Sequence, residues 1–213
     1  MTDLRALADA VKNGKAKIVK QMVNDAVAAG EDPEVLLNQG LVVGMDELGE
    51  LFKNNEVYVP EVLIAARAMK MGTEILKPLL AAKGAQSLGT VAIGTVHGDL
   101  HDIGKNLVGM MLEGAGFTVI DLGTDVTPEA FVDACVNQGA QIIGLSALLT
   151  TTMPSMKDTV EALKAAGIRD KVKVMIGGAP VTQSYCDEIG ADGYSSDAAS
   201  AAALAKELIK TVA

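Results

Sequence analysis

The sequence predicts an α/β protein in two parts, a four-helix bundle over residues 1–84 and a doubly wound parallel sheet of five strands over residues 90–213. Three observations carry this. Ala, Leu, Val and Met recur at three- and four-residue spacings up to about residue 84, the period of a helix face. From Thr90 onward, short apolar runs alternate with helical stretches. The third is composition: 49% of the 213 residues are hydrophobic but only 3% aromatic, with no Trp and ten Met, so the core must be aliphatic.

Within the first part, two short helices are expected near 3–12 and 15–29, and two longer ones near 33–53 and 60–82. Asp32-Pro33-Glu34 reads as a helix start, an acidic N-cap followed by Pro where its missing N–H costs nothing. Val59-Pro60-Glu61 repeats the device, and Pro78 should kink or end the last helix. Gly84-Ala85-Gln86-Ser87-Leu88-Gly89 reads as a linker and a hinge. In the second part, strands are expected at 90–96, 117–122, 141–147, 172–177 and near 192–195. Helices should follow near 103–115, 128–138, 153–167, 181–189 and 197–211. Five such units in this length favour the flavodoxin-like strand order 2-1-3-4-5.

Charge and cysteine content narrow the function. The net charge is −9, and neither half is basic: residues 1–84 hold 10 basic and 12 acidic residues, the remainder 8 and 15. Nucleic acid and anionic membrane both favour a basic surface, so neither is an expected partner. Cys135 and Cys186 are far apart, without a CxxC, and read as buried reduced thiols. The N-terminus lacks an apolar signal region, and no apolar run approaches the roughly 20 residues that span a bilayer, so a cytoplasmic protein is expected.

In sheets of this kind ligands bind beyond the carboxyl ends of the strands. The first strand delivers His97-Gly98-Asp99-Leu100-His101-Asp102-Ile103-Gly104, the third ends at Ser146-Ala147-Leu148, and the fourth at Gly177-Gly178. In the order 2-1-3-4-5 these three strands are neighbours, so the three signals should line one crevice. Each signal alone is weak. Neutral imidazole is a good transition-metal ligand. Asp99, two residues before His101, could accept the other ring N–H, fix the tautomer and raise the basicity of the ligating nitrogen. Glycines at 177 and 178 would let a bulky ligand approach the backbone.

Asp99-x-His101-x-x-Gly104, 41 residues, Ser146-x-Leu148, 28 residues, then Gly177-Gly178 resembles the corrinoid (cobalamin-binding) proteins of anaerobic methyltransferase systems and the B12-binding module of methionine synthase, in motif and in spacing. Gly44-Met45-Asp46-Glu47-Leu48-Gly49 and Val59-Pro60-Glu61-Val62-Leu63 resemble the helical cap of these proteins, so the likeness spans nearly the whole chain.

The resemblance implies a cobalamin or related corrinoid bound base-off and His-on. His101 would be the lower cobalt ligand, Asp99 its hydrogen-bond partner and Thr152 the hydroxyl that completes the relay. Residues 97–104, Ser146, Leu148, Thr150, Thr152, Gly177, Gly178, Ala179, Gly193 and Tyr194 would contact the cofactor. Ala191-Asp192-Gly193-Tyr194 would close a channel for the displaced nucleotide tail. His97 lies outside the family pattern; it could reach the corrin rim or be an exposed structural residue.

The bundle would cover the upper face of the corrin. Lacking the barrel of a mutase, the basic element of a DNA-binding regulator and the folate and homocysteine domains of methionine synthase, the chain would be a methyl carrier. Co(I) would take a methyl group from a substrate on a partner methyltransferase, and methyl-Co(III) would pass it to tetrahydrofolate or coenzyme M on a second methyltransferase. A reductive activation protein would be a further partner. The chain would then be a subunit of a methyltransferase system rather than a complete enzyme. The methyl donor (methanol, methylamine, quaternary amine or methoxyaromatic) is not readable. Two other readings stay open: a zinc or iron site from His97 and His101 with Asp99 or Asp102, and a cobalamin store or sensor without methyl transfer.

Overall fold

The computed structural model describes residues 2–83 and 87–212, without the side chain of Ala81. The chain divides into two compact units, Met1–Ser87 with Gly114–Gly116, and Leu88–Glu113 with Phe117–Ala213.

The first unit is helical. Helix α1 (Leu4–Lys12) starts at Asp3, whose side chain accepts the Ala6 N–H, and α2 (Ala16–Ala28) follows. The expected helix over 33–53 is one continuous rod with three geometries: α3 (Pro33–Val35), a π-helical stretch (Leu36–Leu41) and α4 (Val42–Lys53). The Val42 N–H reaches the Leu37 carbonyl, five residues back, which widens the turn. Asp32 caps the start by accepting the Glu34 N–H at 2.9 Å.

Helix α5 (Val59–Lys83) has a different cap. Here Glu61 reaches back and accepts the Tyr58 N–H at 3.1 Å. Pro78 does not end this helix, which runs five residues further. Proline costs a helix one backbone hydrogen bond, and here the cost is absorbed. Leu7, Val19, Leu41, Met45, Leu48, Val62 and Leu76 form the buried interior. Glu47 on α4 ties back to α1 through Arg5 and through Lys12 at 2.8 Å.

The expected linker falls partly on Gly84, Ala85 and Gln86, which lie outside the described residues.

The second unit is a five-stranded parallel sheet in the order β2-β1-β3-β4-β5, as the sequence predicts. Its strands are β1 (Thr90–Thr95), β2 (Thr118–Asp121), β3 (Ile142–Ser146), β4 (Lys173–Gly177) and β5 (Gly193–Ser195). The alternating helices are α6 (Ile103–Gly114), α7 (Pro128–Gln138), α8 (Pro154–Ala165), α9 (Gln183–Ile189) and α10 (Ala198–Ile209). Each strand starts and stops within two residues of its expected place.

Both faces of a parallel sheet are buried, so its strands read as apolar runs rather than alternating ones. Thus β1 is buried from Val91 to Thr95, and Ile143, Leu145, Val174 and Ile176 pack with Phe131 and Val160. The register places Thr95, Ser146, Gly177 and Ser195 in one row at the carboxyl edge of four adjoining strands.

Neither cysteine is in a disulfide. Cys186 is buried as expected, whereas Cys135 is only partly so. Burial pushes the Cys135 thiol up to about 11, which keeps it protonated and unreactive. Among the described residues no helix is long and apolar enough to cross a membrane.

Candidate corrinoid site

The loop between β1 and α6 is organised around one carboxylate. Asp99 is fully buried. Its Oδ1 accepts the backbone N–H of His101 at 3.1 Å and lies 2.9 Å from His101 Nδ1. Its Oδ2 accepts the backbone N–H groups of Leu148 (2.8 Å) and Leu149 (3.3 Å) and the Thr152 hydroxyl (2.8 Å). The loop after β3 is therefore pinned to the loop after β1 through a single side chain.

Burial alone would raise the Asp99 pKa. The Leu148 N–H, the His101 ring, the Thr152 hydroxyl and the His101 N–H outweigh it, and the carboxyl is held well below its usual range. Asp99 is thus an anion. His101 Nδ1 carries the proton between them, which leaves the Nε2 lone pair free on a ring that is 54% exposed. The Thr95 hydroxyl, buried beneath, donates to the His101 carbonyl at 2.7 Å and fixes the backbone as well.

The expected site residues meet at one edge. Ser146 closes β3 beside Gly177, and the Ser146 carbonyl accepts the Val96 N–H at 3.0 Å. Gly178 has φ +125°, and a Cβ there would fall 1.8 Å from the Ala147 carbonyl oxygen. Its glycine is therefore required by the chain's own backbone, whatever ligand lies beyond. Thr150 and Ala179 are exposed on the same two loops.

Gly193 is buried, with the space for a side chain filled by Leu204, while Tyr194 is half-buried against the core. Asp192 does not serve the carboxyl edge. It accepts the Val174 N–H at 2.7 Å and pairs with Arg169 at 2.8 Å, a bracket at the start of β5. Asp102 turns from His101 to the first turn of α6, where Asn106 Nδ2 donates to it at 3.0 Å. Gly104 has open space around its Cα.

Three contributors escaped sequence reasoning. The backbone N–H groups of Leu148 and Leu149 carry no residue signature at all. Lys105 is buried and donates to both oxygens of Asp121 at 2.6 and 2.7 Å, tying α6 to the end of β2. Its position directly after Gly104 was the available signal. Asp125 is the third. It accepts the Gly98 N–H at 2.7 Å, lies 2.8 Å from His97 Nδ1, and donates its own N–H to the Asp99 carbonyl at 2.9 Å.

The β1–α6 loop, the start of α6 and the loop after β3 expose large apolar side chains: Leu100 is 73% and Ile103 78% exposed, with Leu148 and Leu149 also exposed. Large apolar side chains exposed on loops at the carboxyl edge of a parallel sheet are in keeping with a ligand face. Among the described residues, no group of three or more His, Cys, Asp and Glu is placed to hold a metal ion. His97 and His101 face different carboxylates, so the zinc or iron reading finds no support in the geometry. A single imidazole on loops that expose large apolar side chains instead fits a metal whose other ligands arrive with a broad, largely apolar macrocycle.

Comparison with known proteins agrees with this class of site. Residues 89–203 and residues 3–77 each match a B12 binding domain family. Dimethylamine corrinoid protein 1 of Methanosarcina acetivorans is 48% identical over 208 residues, covering 97% of both chains. The trimethylamine corrinoid protein of Methanosarcina barkeri is 46% identical over 200 residues, covering 93% of this chain and 92% of the other.

Two solved structures share the fold. A cobalamin-binding protein from Desulfitobacterium hafniense has a TM-score of 0.83 at 34% identity, covering 98% of this chain and 99% of that one. A chain of the methanol:cobalamin methyltransferase complex from Methanosarcina barkeri has a TM-score of 0.84 at 33% identity, covering 96% and 78%. The chain belongs to the B12-binding corrinoid proteins, the family its loop motif and strand-end spacings resemble.

Proposed function

We propose that this protein is a corrinoid methyl carrier, with residues 90–213 as the corrinoid-binding domain and 1–84 as the helical cap domain. The observation that carries the reading is the Asp99 node. One buried anion holds the imidazole of His101, orients its free Nε2 outward and locks the two loops that bear the motif. A bound corrinoid supplies a cobalt centre that can take up and release a methyl group. His101 is the lower ligand of a base-off, His-on corrinoid. Asp99 and Thr152 set its tautomer and basicity through charge-assisted hydrogen bonds. Ser146, Leu148, Thr150, Gly177, Gly178, Ala179, Gly193 and Tyr194 line the path of the nucleotide tail, and Gly98, Leu100, Asp102, Ile103, Gly104 and His97 border the corrin.

The names of the relatives support a substrate:corrinoid methyltransferase as one partner. A second methyltransferase acting on tetrahydrofolate or coenzyme M, a reductive activation protein and a cytoplasmic location complete the proposal.

Reconstitution with cobalamin tests it. The purified protein should turn red to orange and carry a stoichiometric corrinoid by mass spectrometry after denaturing extraction. His101→Ala should shift the visible spectrum of the Co(III) form. Asp99→Asn should keep ligation but weaken affinity or activity by about 10–100-fold. Extracts without corrinoid after repeated reconstitution would sink the reading.

A further inference from the structure

A second imidazole–carboxylate pair, which the cobalt ligand does not need, joins His97 of the β1–α6 loop to Asp125 of the β2–α7 loop. His97 Nδ1 lies 2.8 Å from Asp125 Oδ1. Two lone pairs at that separation would repel, so the proton is on Nδ1 and a neutral ring has its lone pair on Nε2. Nε2 has no protein partner among the described residues, and the ring is 62% exposed.

Asp125 is built to hold this arrangement. It adopts φ +55°, a conformation costly for a residue with a side chain. There its carboxylate meets both His97 and the Gly98 N–H, while its own N–H grips the Asp99 carbonyl. The Gly98 N–H above all, with His97, holds its carboxyl below the usual range. The pair is therefore fixed to the same backbone as Asp99 and His101.

We propose that His97, positioned by Asp125, is a hydrogen-bond acceptor for a primary carboxamide on the rim of the bound corrinoid, and so selects amide-bearing over carboxylate-bearing rims. The inference rests on the corrinoid reading given above. The chemistry is directional. A lone pair on Nε2 accepts an amide N–H but offers nothing to a carboxylate, and the anionic Asp125 behind the ring repels one.

The test compares binding of cobalamin with that of its monocarboxylate derivatives, made by hydrolysing one rim amide, in mildly alkaline buffer where imidazole is neutral. The wild-type protein should prefer cobalamin over at least one derivative by about tenfold, the scale of one hydrogen bond. His97→Phe keeps a ring without an acceptor and should lose that preference, with the His101-ligated cobalt spectrum unchanged. Asp125→Gly tolerates the backbone conformation and removes the carboxylate. It should reduce the preference, and nitrogen NMR of the corrinoid-free protein should show His97 leaving the Nδ1–H tautomer. Equal affinity for all forms in the wild type, or a preference that survives His97→Phe, overturns the proposal. So does a His97 tautomer indifferent to Asp125→Gly. Failure of the wild type to bind any corrinoid is a different result, and it removes the corrinoid reading itself.

Discussion

Two histidines lie four residues apart in one loop, each paired with an aspartate, and the pairs differ in what surrounds the carboxylate. Asp99 has no exposed side-chain surface and accepts five hydrogen bonds from His101, Leu148, Leu149 and Thr152. Asp125 is about half exposed and meets only its two neighbours, Gly98 and His97. The chemistry of each pair is the same; water makes the difference. A buried anion must be matched by donors, and each donor that matches it is itself removed from water, so the set stands or falls together. An exposed pair is screened by solvent and contributes little to stability. Both aspartates tie two loops together, but Asp99 does so through a buried carboxylate and Asp125 through a half-exposed one.

The contrast breaks most sharply at Asp99→Ala. Four residues would lose their shared acceptor inside the protein, and urea unfolding of the corrinoid-free protein should show a loss of about 3–5 kcal/mol, the scale for breaking a buried charged network. Thr152→Val keeps the shape and removes one donor to the anion. A loss of about 1–3 kcal/mol is expected, read in the same titration. If either variant unfolds like wild type, Asp99 is not the joint described here.

Acid sharpens the comparison. The native Asp99 carboxyl titrates below its unfolded counterpart, so the unfolded chain binds more protons in the interval between them. The stabilisation from Asp99 is complete above the unfolded value of about 3.9 and is lost as pH falls towards the native one. Asp99→Asn should flatten this acid limb. Asp125→Gly should flatten it in the same direction but much less, because solvent already screens that pair. Equal effects from the two would erase the distinction.

What was legible divides along the same line. Elements announced by local spacing came through: the strand order, the strand ends and the Asp32 cap. The Asp99–His101 pair is legible from its two-residue spacing, whereas Thr152 is visible only because the motif resembles a family; its hydroxyl meets Asp99 across 53 positions of the chain. Asp125 was missed because its signature is a backbone conformation and not a residue pattern. Lys105 was missed because a lysine after a loop reads as exposed, and only the end of β2 reveals its partner. In the helical unit, Pro78 does not end its helix, one of the two effects expected of it: the rule describes an isolated helix, whereas this helix is also held by packing, with Ala68, Met69 and Leu76 buried on the stretch before the proline. The π-helical turn at Leu36–Leu41 leaves no mark in residue spacing over so short a run.

By itself the sequence determined the alternation of strand and helix, the aliphatic core and the place of the three loop motifs at strand ends, since these follow from periodicities of two and 3.6 residues and from glycine's backbone freedom. Only the tertiary structure decided which carboxylate is buried, which backbone N–H groups converge on it and which ring nitrogen of each histidine is engaged. Those depend on distances between chain segments that local spacing does not encode, and on a desolvation cost that exists only once the segments have closed over one another.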